Sequence, residues 1–120
     1  MSRYLLGKKW CAEHAAKAEV TKCVLSIPYK ASTAYKVEML TAAAMAELDC
    51  IGLVQEPEAA YMGTTQDLHM SPSSCTDLKS LVFDLGASHL AVSVLDINCG
   101  QPSIIGHQED DSIGGRYLDK

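Results

Sequence analysis

At 120 residues the chain is long enough for one modest domain with a real core. Its 48% hydrophobic and 21% charged residues are those of an ordinary soluble globular protein. A net charge of −5 excludes the basic footprint of a nucleic-acid binder, and no apolar run approaches membrane-spanning length.

The first element is an Ala-rich helix over residues 4–18, with Leu6, Trp10 and Ala16 and no interrupting Pro. Lys22-Cys-Val-Leu-Ser-Ile-Pro28 reads as a short buried strand that Pro28 ends. The strongest helix covers 32–48, with Ser32 as N-cap and Val37, Leu40, Ala44 and Leu48 on one face. Cys50-Ile-Gly-Leu-Val54 is a second apolar strand, which completes a βαβ unit with parallel strands. Glu56-Pro57 opens a short helix through Met62, with Pro in the first turn where its missing N–H costs nothing. Residues 63–79 are Ser-, Thr- and Asp-rich and contain Pro72, and they read as a loop or insertion.

Ser80 to Asp96 follows as strand, small-residue turn and strand, over 80–86 and 89–97. Its tip is Gly86-Ala87-Ser88-His89, and one acid, Asp84, stands just before the tip. Small residues at such a tip let backbone N–H groups close on an anion, and an acid beside it can hold a hydrated Mg²⁺. Asn98 to Pro102 turns the chain into a third strand at about 103–109, and Gly114-Gly115 leads into a helix start. Glu109-Asp110-Asp111 reads as a solvated loop, and His14, His69 and His107 as scattered surface residues.

Five cysteines lie 12 to 27 residues from their neighbours in sequence, without a Cys-x-x-Cys pair, so a structural zinc site is not expected. Several sit among apolar residues as free thiols would, which fits a reducing, cytoplasmic compartment. Leu5-Leu6 is too short for a signal-peptide core.

In order and spacing, four segments resemble the nucleotide-binding domain of the heat shock protein 70 family, in the actin-like ATPase superfamily. They are Ser26-Ile27-Pro28, Gln55-Glu56-Pro57-Glu58-Ala59-Ala60, Asp84-Leu85-Gly86-Ala87-Ser88-His89-Leu90-Ala91-Val92-Ser93, and Ile113-Gly114-Gly115. The resemblance runs from about Leu5 to Lys120. It implies an α/β, partial actin-like ATPase (ribonuclease H-like) fold, with a βαβ unit followed by the β-hairpin and meander of a second lobe. Residues 1–62 would close the first lobe with its crossing helix, 63–79 would be an insertion, and 80–120 would begin the second lobe.

The resemblance also implies roles. Glu56 corresponds to the carboxylate near the γ-phosphate and its attacking water, and Asp84 to the acid that acts through Mg²⁺-bound water. Gly86, Ala87, Ser88 and His89 form the phosphate-facing tip. Pro28 and Lys36 correspond to a proline switch and its basic partner, although Lys36 lacks the planar fork of arginine. ATP or ADP and Mg²⁺ are the implied ligands, with co-chaperones and unfolded clients as partners, in protein folding and the stress response. Neither nucleic acid nor membrane is expected.

Several positions depart from the family pattern. Ala87 and Ser88 stand where it has glycines, His89 where it has threonine and Ala91 where it has a second acid. The family's first phosphate loop and adenosine-contacting segments have no counterpart in these residues, and neither Gly-x-x-x-x-Gly-Lys-Ser/Thr nor Gly-x-Gly-x-x-Gly occurs. Phosphoryl transfer depends on positioning and charge, so these changes bear directly on catalysis. Two functions follow. One is an ATP-binding chaperone of this family; the other is a non-catalytic chaperone-like interaction module or co-chaperone. Without the resemblance, Glu56 is a first-turn helix acid, His89 a turn histidine and Lys36 a solvated lysine.

Overall fold

The computed structural model describes residues 1–67 and 78–117. The chain divides into two compact units, Met1–Gln55 and Glu56–Lys120.

The first unit contains α1 (Ser2–Ala16), β1 (Lys22–Ile27), α2 (Thr33–Met45) and β2 (Asp49–Gln55). The strands β1 and β2 pair in parallel, from Lys22 opposite Asp49 to Ile27 opposite Gln55, with an irregularity between Cys23 and Val24. Two parallel strands need a crossover connection, and α2 supplies it. Ser32 caps α2, its hydroxyl accepting from the Tyr35 N–H at 3.1 Å. The helix stops in a Schellman pattern: Glu47 N–H donates to Ala44 O at 3.0 Å and Leu48 N–H to Ala43 O at 3.0 Å. Glu47 takes the left-handed position at φ 55, where glycine is the usual occupant.

The face that α2 buries differs from the expected one. Met39, Ala42, Ala43 and Ala46 are buried, whereas Val37, Leu40 and Ala44 are exposed. The core joins Leu5 of α1 to Ala42, Ala43, Ala46 and Leu48, with Val20, Cys23, Leu25 and Cys50 packed against it. Short alanine side chains let backbones approach closely, and in this unit that outweighs the larger side chains of the opposite stripe. Leu5 is the one buried residue of α1; Trp10 is exposed and stacks on His14 at 5.4 Å between ring centroids.

The second unit contains α3 (Glu56–Asp67), β3 (Leu78–Leu85), β4 (Leu90–Asn98), β5 (Gln101–Asp110) and a 3₁₀ turn, η1 (Gly115–Tyr117). The helix α3 continues beyond Met62 to Asp67, and β3 begins at Leu78, so both ends of the expected 63–79 loop are regular structure; residues 68–77 lie outside the described residues. The sheet is antiparallel in the order β3-β4-β5, and α3 packs on it. β4 alternates strictly: Ala91, Ser93, Leu95 and Ile97 are buried, and the residues between them are half-buried. Cys99 and Gly100, both at positive φ (48 and 79), make the two-residue β4–β5 turn.

Cys11, Cys23 and Cys50 are free, as expected of several of the cysteines, but Cys99 is disulfide-bonded, which departs from the expected reducing compartment. It lies exposed at a turn, not among apolar residues. Burial, then the neighbouring Cys50 thiol, pushes the Cys23 thiol pKa up. No described helix is long and apolar enough to cross a membrane.

Candidate functional site

Of the residues expected at the site, Glu56, Asp84 and residues 86–89 belong to the second unit. Glu56 is the first residue of α3, and buried Pro57 anchors that helix end. Asp84 is the penultimate residue of β3, and residues 86–89 link β3 to β4. Gly86 N–H donates to His89 O at 2.9 Å, which closes the hairpin beneath its tip. No residue of the tip has a positive φ, so Ala87 and Ser88 occupy it without backbone strain. They add two Cβ atoms to the exposed face of the tip.

A second segment holds the tip from behind. Gly115 N–H donates to Gly86 O at 2.9 Å and Arg116 N–H to Ala87 O at 3.0 Å. Gly114 is buried so tightly here that a Cβ on it would lie 2.8 Å from Ala87 O and 2.9 Å from His89 N. The Gly114-Gly115 pair therefore serves as the seat of the hairpin tip, and the short η1 turn starts from it. His89 is half-buried; its imidazole folds back toward Gly86, whose added Cβ would lie 3.7 Å from the ring.

The electrostatics converge on Glu56. Partial burial raises its pKa, Asp84 raises it further, His89 lowers it, and Glu109 raises it again. A carboxylate at a helix N-terminus is ordinarily favoured by the helix dipole. Here desolvation and neighbouring negative charge prevail over that effect. Glu56, Asp84, His89 and Glu109 thus form one interacting group of charges.

Glu109 was missed in the sequence, where it read as part of a solvated loop. It lies in β5, directly opposite Ala91. His107, expected on the surface, has a side chain only 10% exposed. Its Nδ1 is 2.8 Å from Ser93 Oγ and its Nε2 2.8 Å from Glu109 Oε1. Extending the third strand's alternation from His107 to Glu109 was the available signal, because alternate residues share a face.

Pro28 and Lys36 belong to the first unit. They line a cleft of about 250 Å³ with Ile27, Tyr29, Leu53 and Gln55. Lys36 is solvent-exposed and Pro28 half-buried. Gln55 Oε1 is buried there without a hydrogen-bond partner among the described residues.

These oxygen donors suit a hard cation such as Mg²⁺, which keeps several of its waters. Among the described residues no three His, Cys, Asp or Glu side chains converge closely enough to chelate an ion. Asp84, exposed beside the tip, is the residue that could hold such an ion through its waters. The seat that Gly114 leaves for the tip, which a Cβ would fill, holds residues 86–89 in an ordered turn.

A parallel βαβ unit and an acid-flanked antiparallel meander with a glycine-seated tip define an α/β chain of the actin-like ATPase class. A family model described as Hsp70 protein matches residues 2–120, so the chain belongs to the HSP70 family. It is similar to the "Chaperone protein HscA homolog" of Rickettsia bellii (strain RML369-C), with 32% identity over 109 residues, 91% of this chain and 17% of that protein. The proteins of the same description from Rickettsia rickettsii (strain Sheila Smith) and Rickettsia felis are each 32% identical over 108 residues. The chain spans 17% and 16% of these two relatives. It is a divergent member, matched to a limited part of its full-length relatives.

Proposed function

We propose that this chain contributes the central, phosphate-facing part of an ATP-binding chaperone's nucleotide site. The observations that carry the reading are the electrostatic coupling of Glu56 to Asp84 and the place of Asp84 just before a hairpin tip that Gly114 and Gly115 hold in position. In this reading the tip, residues 86–89, faces the phosphates, Asp84 holds a hydrated Mg²⁺, and Glu56 orients water. The metal, when bound, neutralises charge on the transferring phosphoryl group. Burial and the neighbouring Asp84 raise the pKa of Glu56, which makes it a better proton acceptor than an ordinary glutamate. Pro28 and Lys36 would act as the switch of the first unit. Co-chaperones and unfolded clients are the partners proposed, with the cytoplasm as the compartment; the free thiols of Cys11, Cys23 and Cys50 suit it, whereas the disulfide at Cys99 does not.

Ala87 and Ser88, with their added Cβ atoms, and Ala91, which brings no charge, favour a second reading for the 120-residue chain by itself: an interaction module without ATPase activity. The two readings part on one experiment. Mg·ADP titrated into the ¹⁵N-labelled chain should shift the amides of Glu56 and residues 84–89 with millimolar affinity, and ATP hydrolysis should not exceed background. Absence of any shift at those residues would overturn the nucleotide reading in favour of the module. Micromolar affinity with unit stoichiometry would show that the chain is a complete site.

A further inference from the structure

Cys23 and Cys50 are direct partners across the parallel β1–β2 ladder, and both thiols are free. Neither falls in the segments that carry the family resemblance, and the proposed nucleotide roles leave both unused. Neighbouring strands lie about 4.8 Å apart, inside the roughly 4.4–6.8 Å Cα separation over which a disulfide can close. Both side chains leave the same face of the strand pair, since both pack against the core of Leu5, Ala42, Ala43, Ala46 and Leu48. Burial holds the Cys23 thiol protonated, and the charge and hydrogen bonding of the Cys50 thiol act in the same direction. The two sulfurs are thus within hydrogen-bonding reach of each other, and Cys50 Sγ donates onward to Gly52 O at 3.3 Å.

Two further features set this pair apart. The ladder is irregular beside it: Val24 is opposite Gly52, which leaves Ile51 as an extra residue on β2. An extra residue disrupts the ladder locally and bends the strand, so the Cys50 Cβ can move toward Cys23 without straining a regular run. Cys23 also lines an open cleft of about 360 Å³ with Tyr4, Lys8, Ala12 and Val20, through which a small molecule reaches its sulfur. Exposed Cys11, in α1, has no such thiol partner among the described residues.

We infer that Cys23 and Cys50 form a reversible dithiol–disulfide pair, oxidised by small peroxides, that fastens β1 to β2 in the first unit. The Cys23 sulfur, which the cleft opens to solvent, attacks a peroxide oxygen; the O–O bond breaks, water leaves and a sulfenic acid remains. The Cys50 sulfur then attacks the sulfenic sulfur; the S–O bond breaks, the S–S bond forms and a second water leaves. Each cysteine is oxidised by one electron and the peroxide is reduced by two, and both thiol hydrogens end in water. A protonated thiol is a slow nucleophile, so the pair answers sustained rather than brief exposure to peroxide. A thiol reductant reverses the closure by exchange. The pair lies wholly in the first unit and does not depend on the nucleotide reading of the second.

The test treats the folded full chain with hydrogen peroxide, blocks the remaining thiols and maps non-reduced peptides by mass spectrometry. A peptide linked through Cys23 and Cys50 is expected, and dithiothreitol should remove it. Closing the β1–α2–β2 loop should also raise the melting temperature by roughly 5 °C. Cys50→Ala should abolish both the link and the shift and leave Cys23 as a sulfenic acid that dimedone captures. Cys11→Ala should change neither. If peroxide oxidises Cys11 while Cys23 and Cys50 remain thiols, the inference fails. A link that forms only after the chain is unfolded in urea would overturn it equally, because the pairing would then owe nothing to the β1–β2 register. The wild-type peptide map decides between these outcomes even if Cys50→Ala does not fold.

Discussion

Glu56 is the residue on which the most opposing effects meet. Its raised pKa means that the folded state binds a proton more readily than the unfolded chain does. The sign follows directly. The fold is relieved of the Glu56 charge below the ordinary glutamate pKa and carries the full penalty above the raised value. The wild type should therefore lose stability as pH rises through that interval, whereas Glu56→Gln should remain flat across it. Urea melts at closely spaced pH values would show this, and parallel curves for the two proteins would refute it. A second residue-scale prediction separates two glycines. In Gly114→Ala the new Cβ meets backbone atoms at 2.8 Å, which cannot rotate away, so a loss of about 2–3 kcal/mol is expected. In Gly63→Ala the Cβ meets nothing within 4 Å inside α3, so a gain of about 0.5–1 kcal/mol is expected. Chemical denaturation measures both, and equal effects would remove Gly114 as the seat of the tip. Asp84 and Gly86 stood out in the sequence at an abrupt change from apolar run to small-residue turn, whereas Glu56 became a candidate only through the family resemblance. Glu109 and His107 could not, because their importance lies in the residues across the ladder.

At the scale of elements, local chemistry set the boundaries well where a cap or turn has its own signature. Ser32 was a visible N-cap, and its bond to Tyr35 N–H makes Ser32→Ala worth about 1 kcal/mol of stability, measurable by thermal melting. A loss below a few tenths would mean that water replaces the cap. The strand β1 stops at Pro28, and α3 starts at the Glu56-Pro57 pair, as the missing proline N–H requires. The buried face of α2 was misjudged, since hydrophobicity alone favoured Val37 and Leu40 over Ala42, Ala43 and Ala46. A helix packed close to its neighbours buries small residues, and closeness is a property of the pair of elements, not of either sequence. The end of α3 was set five residues early because its last turn is polar, Gly63 to Asp67, and a polar turn reads as a loop.

For the whole molecule, exposed apolar surface dominates the expected behaviour. Leu81, Phe83 and Leu85 project from β3 at 60%, 65% and 53% exposure, and β3 is an edge of its sheet among the described residues. An edge strand with an apolar face pairs readily with another chain. The 120-residue chain should self-associate with concentration in light scattering, and Phe83→Lys should return it toward monomer with little change in melting temperature. A wild-type monomer at high concentration would refute this. The sequence by itself determined the βαβ unit, the meander, the acid before the tip and the family, because periodicity, turn residues and motif order are local properties. Tertiary structure alone decided which face of α2 is buried and that Gly114 seats the tip. It also decided that Glu109 shares a rung with Ala91 and Asp84. Each of these depends on the distance between residues far apart in the chain, and that distance exists only once the strands have paired.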